Sequence, residues 1–183
     1  MHDGLRNTVK DYEWDTEMKP ASVDDGAIRE QLVTLMDSYE EPLYNFLVVL
    51  LGDRELSYDC AQDTFLRAYQ NLVSGKPVTA QWLYTVARNR AMDHFRQRRK
   101  LWVNPLDEHA DLVDALPDRE LEGAVRRALA QLAPSDREIL YLAHTDGLKP
   151  REIARTLGIR AGTMRMRLLR AHQRFRAVYQ EEP

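Results

Sequence analysis

At 183 residues the chain has room for one domain or two small ones, and its formal net charge is only −3. No apolar run is long enough to span a bilayer and the N-terminus lacks the basic-then-apolar order of a signal peptide, so a cytoplasmic protein is expected. The single cysteine excludes an internal disulfide framework, which suits a reducing compartment.

Residues 1–25 are polar and irregular, with Tyr12 and Trp14 as isolated aromatics, and read as a flexible tail. A helix follows from about Gly26 to Tyr39, with Ile28, Leu32, Leu35 and Met36 on one face and Asp24 or Asp25 as cap. Pro42 opens a second helix that is apolar on both faces and therefore belongs at the centre of a core; Gly52 ends it. The third helix runs from about Glu55 to Leu72. Tyr58, Ala61, Phe65, Leu66 and Tyr69 point inward, and Asp59, Gln62, Asp63 and Arg67 form a polar outer patch. Cys60 reads as a small packing residue. After the loop VSGKPVT, a long helix from about Ala80 to Lys100 turns Trp82, Leu83, Val86, Ala87, Ala91 and Phe95 inward and Arg88, Asn89, Arg96 and Arg99 outward. Its end, RQRRK, concentrates charge more than solubility requires.

Charge comes in blocks. Residues 1–60 hold fourteen acids and five bases, whereas Arg88, Arg90, Arg96, Arg98, Arg99 and Lys100 face only Asp93. Two separate basic blocks, here and near the C-terminus, suggest two nucleic-acid contacts on one chain. Residues 101–117 contain Pro105 and Pro117 with Asp107, Glu108, Asp111 and Asp114, and read as an acidic domain linker. A helix from Asp118 to Leu132 is expected next, then one opened by a capping box at Ser135 and Glu138 and ended by Gly147.

The segment LKPREIARTLGIRAGTMRMRLLRAHQRFR then reads as two helices joined by a tight turn. The first spans about Pro150 to Leu157, with Ile153, Ala154 and Leu157 as its apolar stripe and Gly158 at its end. The second starts at Arg160 and turns Thr163, Met164, Leu168, Ala171 and Phe175 inward, against Arg160, Arg165, Arg167, Arg170 and Arg174 on the other face. From Lys149 to Arg176 there are nine basic residues and one acid, Glu152, the footprint of a polyanion-binding surface. Arg160 opposes the helix dipole, so local stability does not explain it; base edges in a major groove do. A solvated basic hairpin is the alternative for this segment alone. The architecture expected is all-α: two small helical domains, 26–100 and 118–183, joined by the flexible acidic linker 101–117, the second a helix-turn-helix module.

Taken in order, DCAQDTFLRAYQNL, QWLYTVARNRAMDHFRQRRK and LAPSDREILYLAHTDGLKPREIARTLGIRAGTMRMRLLRAHQRFR resemble the extracytoplasmic-function (ECF, group IV) branch of bacterial sigma factors. The resemblance covers about Ile28 to Arg176. It implies a transcription initiation factor that binds core RNA polymerase at its clamp helices and flap and brings it to promoter DNA. Asp59, Gln62, Asp63 and Arg67 would dock on the clamp helices. The loop from about Asn71 to Thr79 and the fourth helix would melt and read the −10 element, through Arg88 and Asn89 at bases and Arg96, Arg98, Arg99 and Lys100 at phosphates. Arg160, Thr163, Arg165 and Arg167 would read the −35 element, with Arg170 and Arg174 nearer its phosphates. The linker would imitate RNA on its way past the active centre. An anti-sigma partner is also implied, one that can hold the factor at the membrane. Two positions depart from the family: Lys149-Pro150 and Arg160 stand where capping hydroxyls are usual, which leaves the −35 sequence open.

Two other classes compete. A DNA-binding regulator would use only the C-terminal module and would need no polymerase. An enzyme is disfavoured: His2, His94, His109, His144 and His172 lack metal-ligand spacing, and neither a glycine-rich phosphate loop nor a nucleophile motif is present. No catalytic residue, metal, cofactor or small-molecule substrate is expected.

Overall fold

A computed structural model describes residues 25–100, 123–144 and 148–181, with side chains described to 97 in the first stretch and to 180 in the last. The tail, the acidic linker 101–117, and the side chains of Arg98, Arg99 and Lys100 lie outside the described residues. Every element within them is helical: α1 (Asp25–Leu51), α2 (Arg54–Val73), α3 (Ala80–Lys100), α4 (Gly123–Ala130), α5 (Pro134–His144), α6 (Pro150–Thr156) and α7 (Ala161–Glu181).

The two helices expected on either side of Pro42 are one continuous helix, with the proline inside it. An interior proline removes one i→i−4 bond and costs about 3 kcal/mol. Four positions that follow it, Leu43, Phe46, Leu47 and Val48, are fully buried. At about 1.5–3 kcal/mol for each large apolar side chain, their burial outweighs the break. Gly52 then takes φ 70°, and Asp53 caps α2 by accepting from the Leu56 N–H at 2.9 Å. Ala61, Phe65, Ala68 and Leu72 face α1 and α3 along one stripe of α2. Leu66 does not join them; it is 51% exposed on the outer face, contrary to the inward placement expected. Thr79 caps α3 by accepting from the Trp82 N–H, and Leu83, Tyr84, Ala87 and Ala91 enter the core.

The four C-terminal helices fold back onto the first three. Helix α5 packs on α1 as well as on α7, and α6 packs on α3. Phe46 meets Tyr141 with ring centroids 5.8 Å apart, and the Tyr141 hydroxyl donates to the Pro42 carbonyl at 2.8 Å. Val48 and Val49 of α1 bury against Ala130. The hydroxyls of Thr85 and Thr156 lie 3.3 Å apart.

The capping box expected at Ser135 is not formed. Helix α5 begins two residues earlier than that cap requires, at Pro134, and the Ala133 carbonyl takes the N–H groups of Asp136 and Arg137. Glu138 is thereby released from the helix end and crosses the seam to Arg88.

Candidate nucleic-acid interface

The helix-turn-helix is built from local signals. Pro150 occupies the first turn of α6, and the Glu152 carboxylate accepts from the Lys149 N–H at 2.8 Å, so the missing hydroxyl cap is replaced from inside the helix. Ile153, Ala154 and Leu157 are buried as expected. Gly158 takes φ 66°, and the Ile159 N–H returns to the Ala154 carbonyl at 2.9 Å, which closes α6 and turns the chain into α7. Arg160 stands just outside α7, and its carbonyl accepts the first helical bond, from the Met164 N–H. Met164 and Ala171 are buried, with Leu168 and Phe175 packed beside them. Thr163, counted both as inward and as a base reader from sequence, is exposed and so belongs to the outer face.

Arg160, Arg165, Arg167, Arg170 and Arg174 are all exposed. From Ala161 to Gln180 the helix contains no acid. The arginines are not equivalent. Both Arg174 contacts with the nearly buried Asp136, at 2.8 and 2.7 Å, come from one nitrogen, which fixes this guanidinium beside α5. Arg167 lies on the same side, close enough for its charge to favour ionised Glu138.

The N-terminal basic face is divided in a similar way. Asn89 and Arg96 are exposed, and Arg96 pairs with Asp93 at 2.7 Å. Arg88, expected at DNA bases, is engaged elsewhere in this arrangement: its Nε donates to Glu138 Oε1 at 2.5 Å across the seam. Glu138 is 4% exposed; burial pushes its carboxyl above the usual carboxylate range, and Arg88 opposes that push.

On α2, Asp59 is exposed, Gln62 and Asp63 are half-buried and Arg67 is exposed. Asp63 pairs with Arg67 at 3.0 Å and also with Arg90 of α3. Arg90 thus fixes the patch from a neighbouring helix, a role that its place in a basic run concealed. Leu66 stands on the same face, one helical turn from both Gln62 and Asp63, and adds an apolar centre to what the sequence presents as a polar patch.

Cys60 is buried, and desolvation pushes its thiol up to about 11, in keeping with a packing role. Among the described residues no group of three or more His, Cys, Asp or Glu side chains could hold a metal ion, and no helix is long and apolar enough to cross a membrane.

Residues 35–101 match the family model for Sigma-70 region 2, and residues 122–175 that for Sigma-70, region 4. The chain is similar to the ECF RNA polymerase sigma factor SigL of Mycobacterium tuberculosis, with 33% identity over 157 residues, 80% of this chain and 88% of the relative. SigM of Bacillus subtilis is 28% identical over 153 residues, covering 77% and 90%. SigE of Mycolicibacterium smegmatis is 29% identical over 151 residues, 78% of this chain but only 59% of the relative's length. Two solved structures share the fold. The sigma factor RpoE in complex with the anti-sigma factor NepR from Bartonella quintana has a TM-score of 0.64 at 21% identity, covering 86% of this chain and 99% of that one. CnrH in complex with the cytosolic domain of CnrY has a TM-score of 0.61 at 19% identity, covering 85% and 91%. Two sigma-70 regions in order, and a relative matched over most of its length at 33% identity, establish that this chain belongs to the ECF RNA polymerase sigma factors.

Proposed function

We propose that the chain is a group IV alternative sigma factor, without chemistry of its own, that binds core RNA polymerase in the cytoplasm and brings it to −10 and −35 promoter elements. The observation that carries this reading is the exposed, acid-free arginine face of α7 behind a correctly built helix-turn-helix. Arg160, Thr163, Arg165 and Arg167 are assigned to −35 bases, and Arg170 and Arg174 to the flanking phosphates; the Asp136 contact orients Arg174 for that task. Asp59, Gln62, Asp63 and Arg67, held by Arg90, are assigned to the polymerase clamp helices. Arg88, Asn89, Arg96, Arg98, Arg99 and Lys100 are assigned to the −10 strand, with 26–100 and 118–183 as the two working domains and 101–117 as the linker between them.

Engaging both promoter elements requires the seam to open, because Arg88 cannot face bases while it holds Glu138. An anti-sigma factor that holds the closed form would silence the protein, and one anchored in a membrane would keep it there. The likeness to the sigma factor RpoE, solved in complex with the anti-sigma factor NepR, supports control by an anti-sigma partner. Co-elution with core polymerase, followed by run-off transcription from genomic fragments, tests the reading. Start-site-specific transcripts that require the protein are expected. A protein that ignores polymerase but shifts duplex DNA alone would be a helix-turn-helix regulator instead.

A further inference from the structure

The outer face of α7 is not a simple arginine surface. A helix advances about 100° per residue. Taking the buried Met164 as the inward direction, Met166 sits about 200° round the helix and Leu169 about 140°. Both point outward, and each is 51% exposed. Gly162, one turn before Met166, leaves open space where a Cβ would stand, so the backbone itself can be approached closely there. A small-then-apolar ridge, Gly162–Met166–Leu169, therefore runs along the part of the helix farthest from the core. Arg165 flanks it on one side and Thr163 and Arg170 on the other.

A helix that only needed solubility would place neither Met nor Leu there. A protein partner fits the ridge but not its surroundings, since the arginines and the absence of acid select a polyanion. In the major groove of DNA the apolar group displayed on the base edges is the C5 methyl of thymine. We infer that Met166 and Leu169 read thymine methyl groups in the upstream promoter element, between the hydrogen-bonding side chains on either side, and that Gly162 lets the ridge descend into the groove. This deepens the sigma-factor reading and rests on it, with one revision: Arg167, about 300° round the helix, then meets the backbone beside the groove rather than its bases.

The test uses holoenzyme assembled from the full chain and core polymerase, on a promoter fragment chosen by run-off transcription. Each thymidine of the upstream element is replaced in turn by deoxyuridine, which removes only the methyl group. At one or more positions wild-type affinity should fall about fourfold, the equivalent of one buried methyl group. Met166→Ala or Leu169→Ala should bind the thymidine promoter correspondingly less well and show no further loss with deoxyuridine, whereas Met166→Leu should keep the methyl sensitivity. Both alanine variants remove exposed side chains, so their helix content should match wild type. Uniform indifference to deoxyuridine in a holoenzyme that initiates correctly would overturn the inference. So would loss of core-polymerase or anti-sigma binding in the alanine variants with promoter affinity intact, which would make the ridge a protein-docking face. Absence of any promoter-specific transcript is a different result: it removes the sigma reading and this inference with it.

Discussion

Replacing Arg88 by alanine should cost stability and make the remaining stability fall as pH rises. The Glu138 side chain keeps 5% of its surface and that of Arg88 22%, so the pair is buried on one side and partly wet on the other. Removing one partner of a fully buried pair costs about 3–5 kcal/mol. Water near Arg88 reduces the expected loss to about 2–3 kcal/mol, roughly a 30- to 160-fold change in equilibrium. Burial already holds the Glu138 carboxyl above its ordinary value. The folded form therefore keeps that proton to higher pH than the unfolded chain does. Stability from this group is present below the unfolded value and is lost as pH rises through the raised folded value. Without Arg88 the folded value climbs further, and the loss extends to higher pH. Urea titration followed by helical circular dichroism, from about pH 5 to about pH 8, reads the unfolding route. Small-angle scattering reads the other, separation of α1–α3 from α4–α7 with the helices retained. The double variant Arg88→Ala with Glu138→Gln should recover much of the loss, because the glutamine leaves no unpaired buried charge at this position. Identical curves for wild type and Arg88→Ala by both methods, or a double variant no better than the single one, would refute the reasoning.

Asp63→Arg should abolish co-elution with core polymerase while the circular dichroism spectrum is retained, since Asp63 is paired at the surface of α2 and is not a core residue; unchanged co-elution would remove the docking assignment. Cys60 should resist thiol reagents near neutral pH until the protein unfolds, because its side chain is buried and its thiol is raised to about 11; rapid labelling of the native protein would show that α2 opens locally. Gly158→Ala should lower stability by about 1 kcal/mol, because nothing crowds the position but its φ of 66° strains any residue with a Cβ. A melting temperature equal to wild type would mean that the turn relaxes at no cost.

The helices and their inward faces were legible in the sequence wherever local signals and burial agree. Ala80–Lys100 was placed to the residue, and the turn at Gly158 followed from a glycine that only a left-handed position explains. Pro42 misled because its penalty is local while the packing that overrides it, from Phe46 to Tyr84 and Tyr141, is tertiary. Ser135 and Glu138 misled for a related reason: the spacing suits a capping box, but the glutamate has a stronger, charge-assisted partner fifty residues away in sequence. Leu66 defeated a reading in which apolar residues at helical spacing face inward, and Met166 and Leu169 fell on neither face of that reading. Their exposure is visible only once the inner stripe is fixed by Phe65, Met164 and Ala171. Arg90 was hidden by company, since a run of like charges conceals the one member that bonds within the fold.

The seam joins parts of a single molecule: Tyr141 to Pro42, Thr156 to Thr85, Glu138 to Arg88. Its closure is a first-order event, governed by the effective concentration of one tethered face at the other. Dilution leaves the closed fraction unchanged. A separate molecule that needs either face competes by mass action, so its free concentration, rather than that of the chain itself, sets how much of the chain stands open.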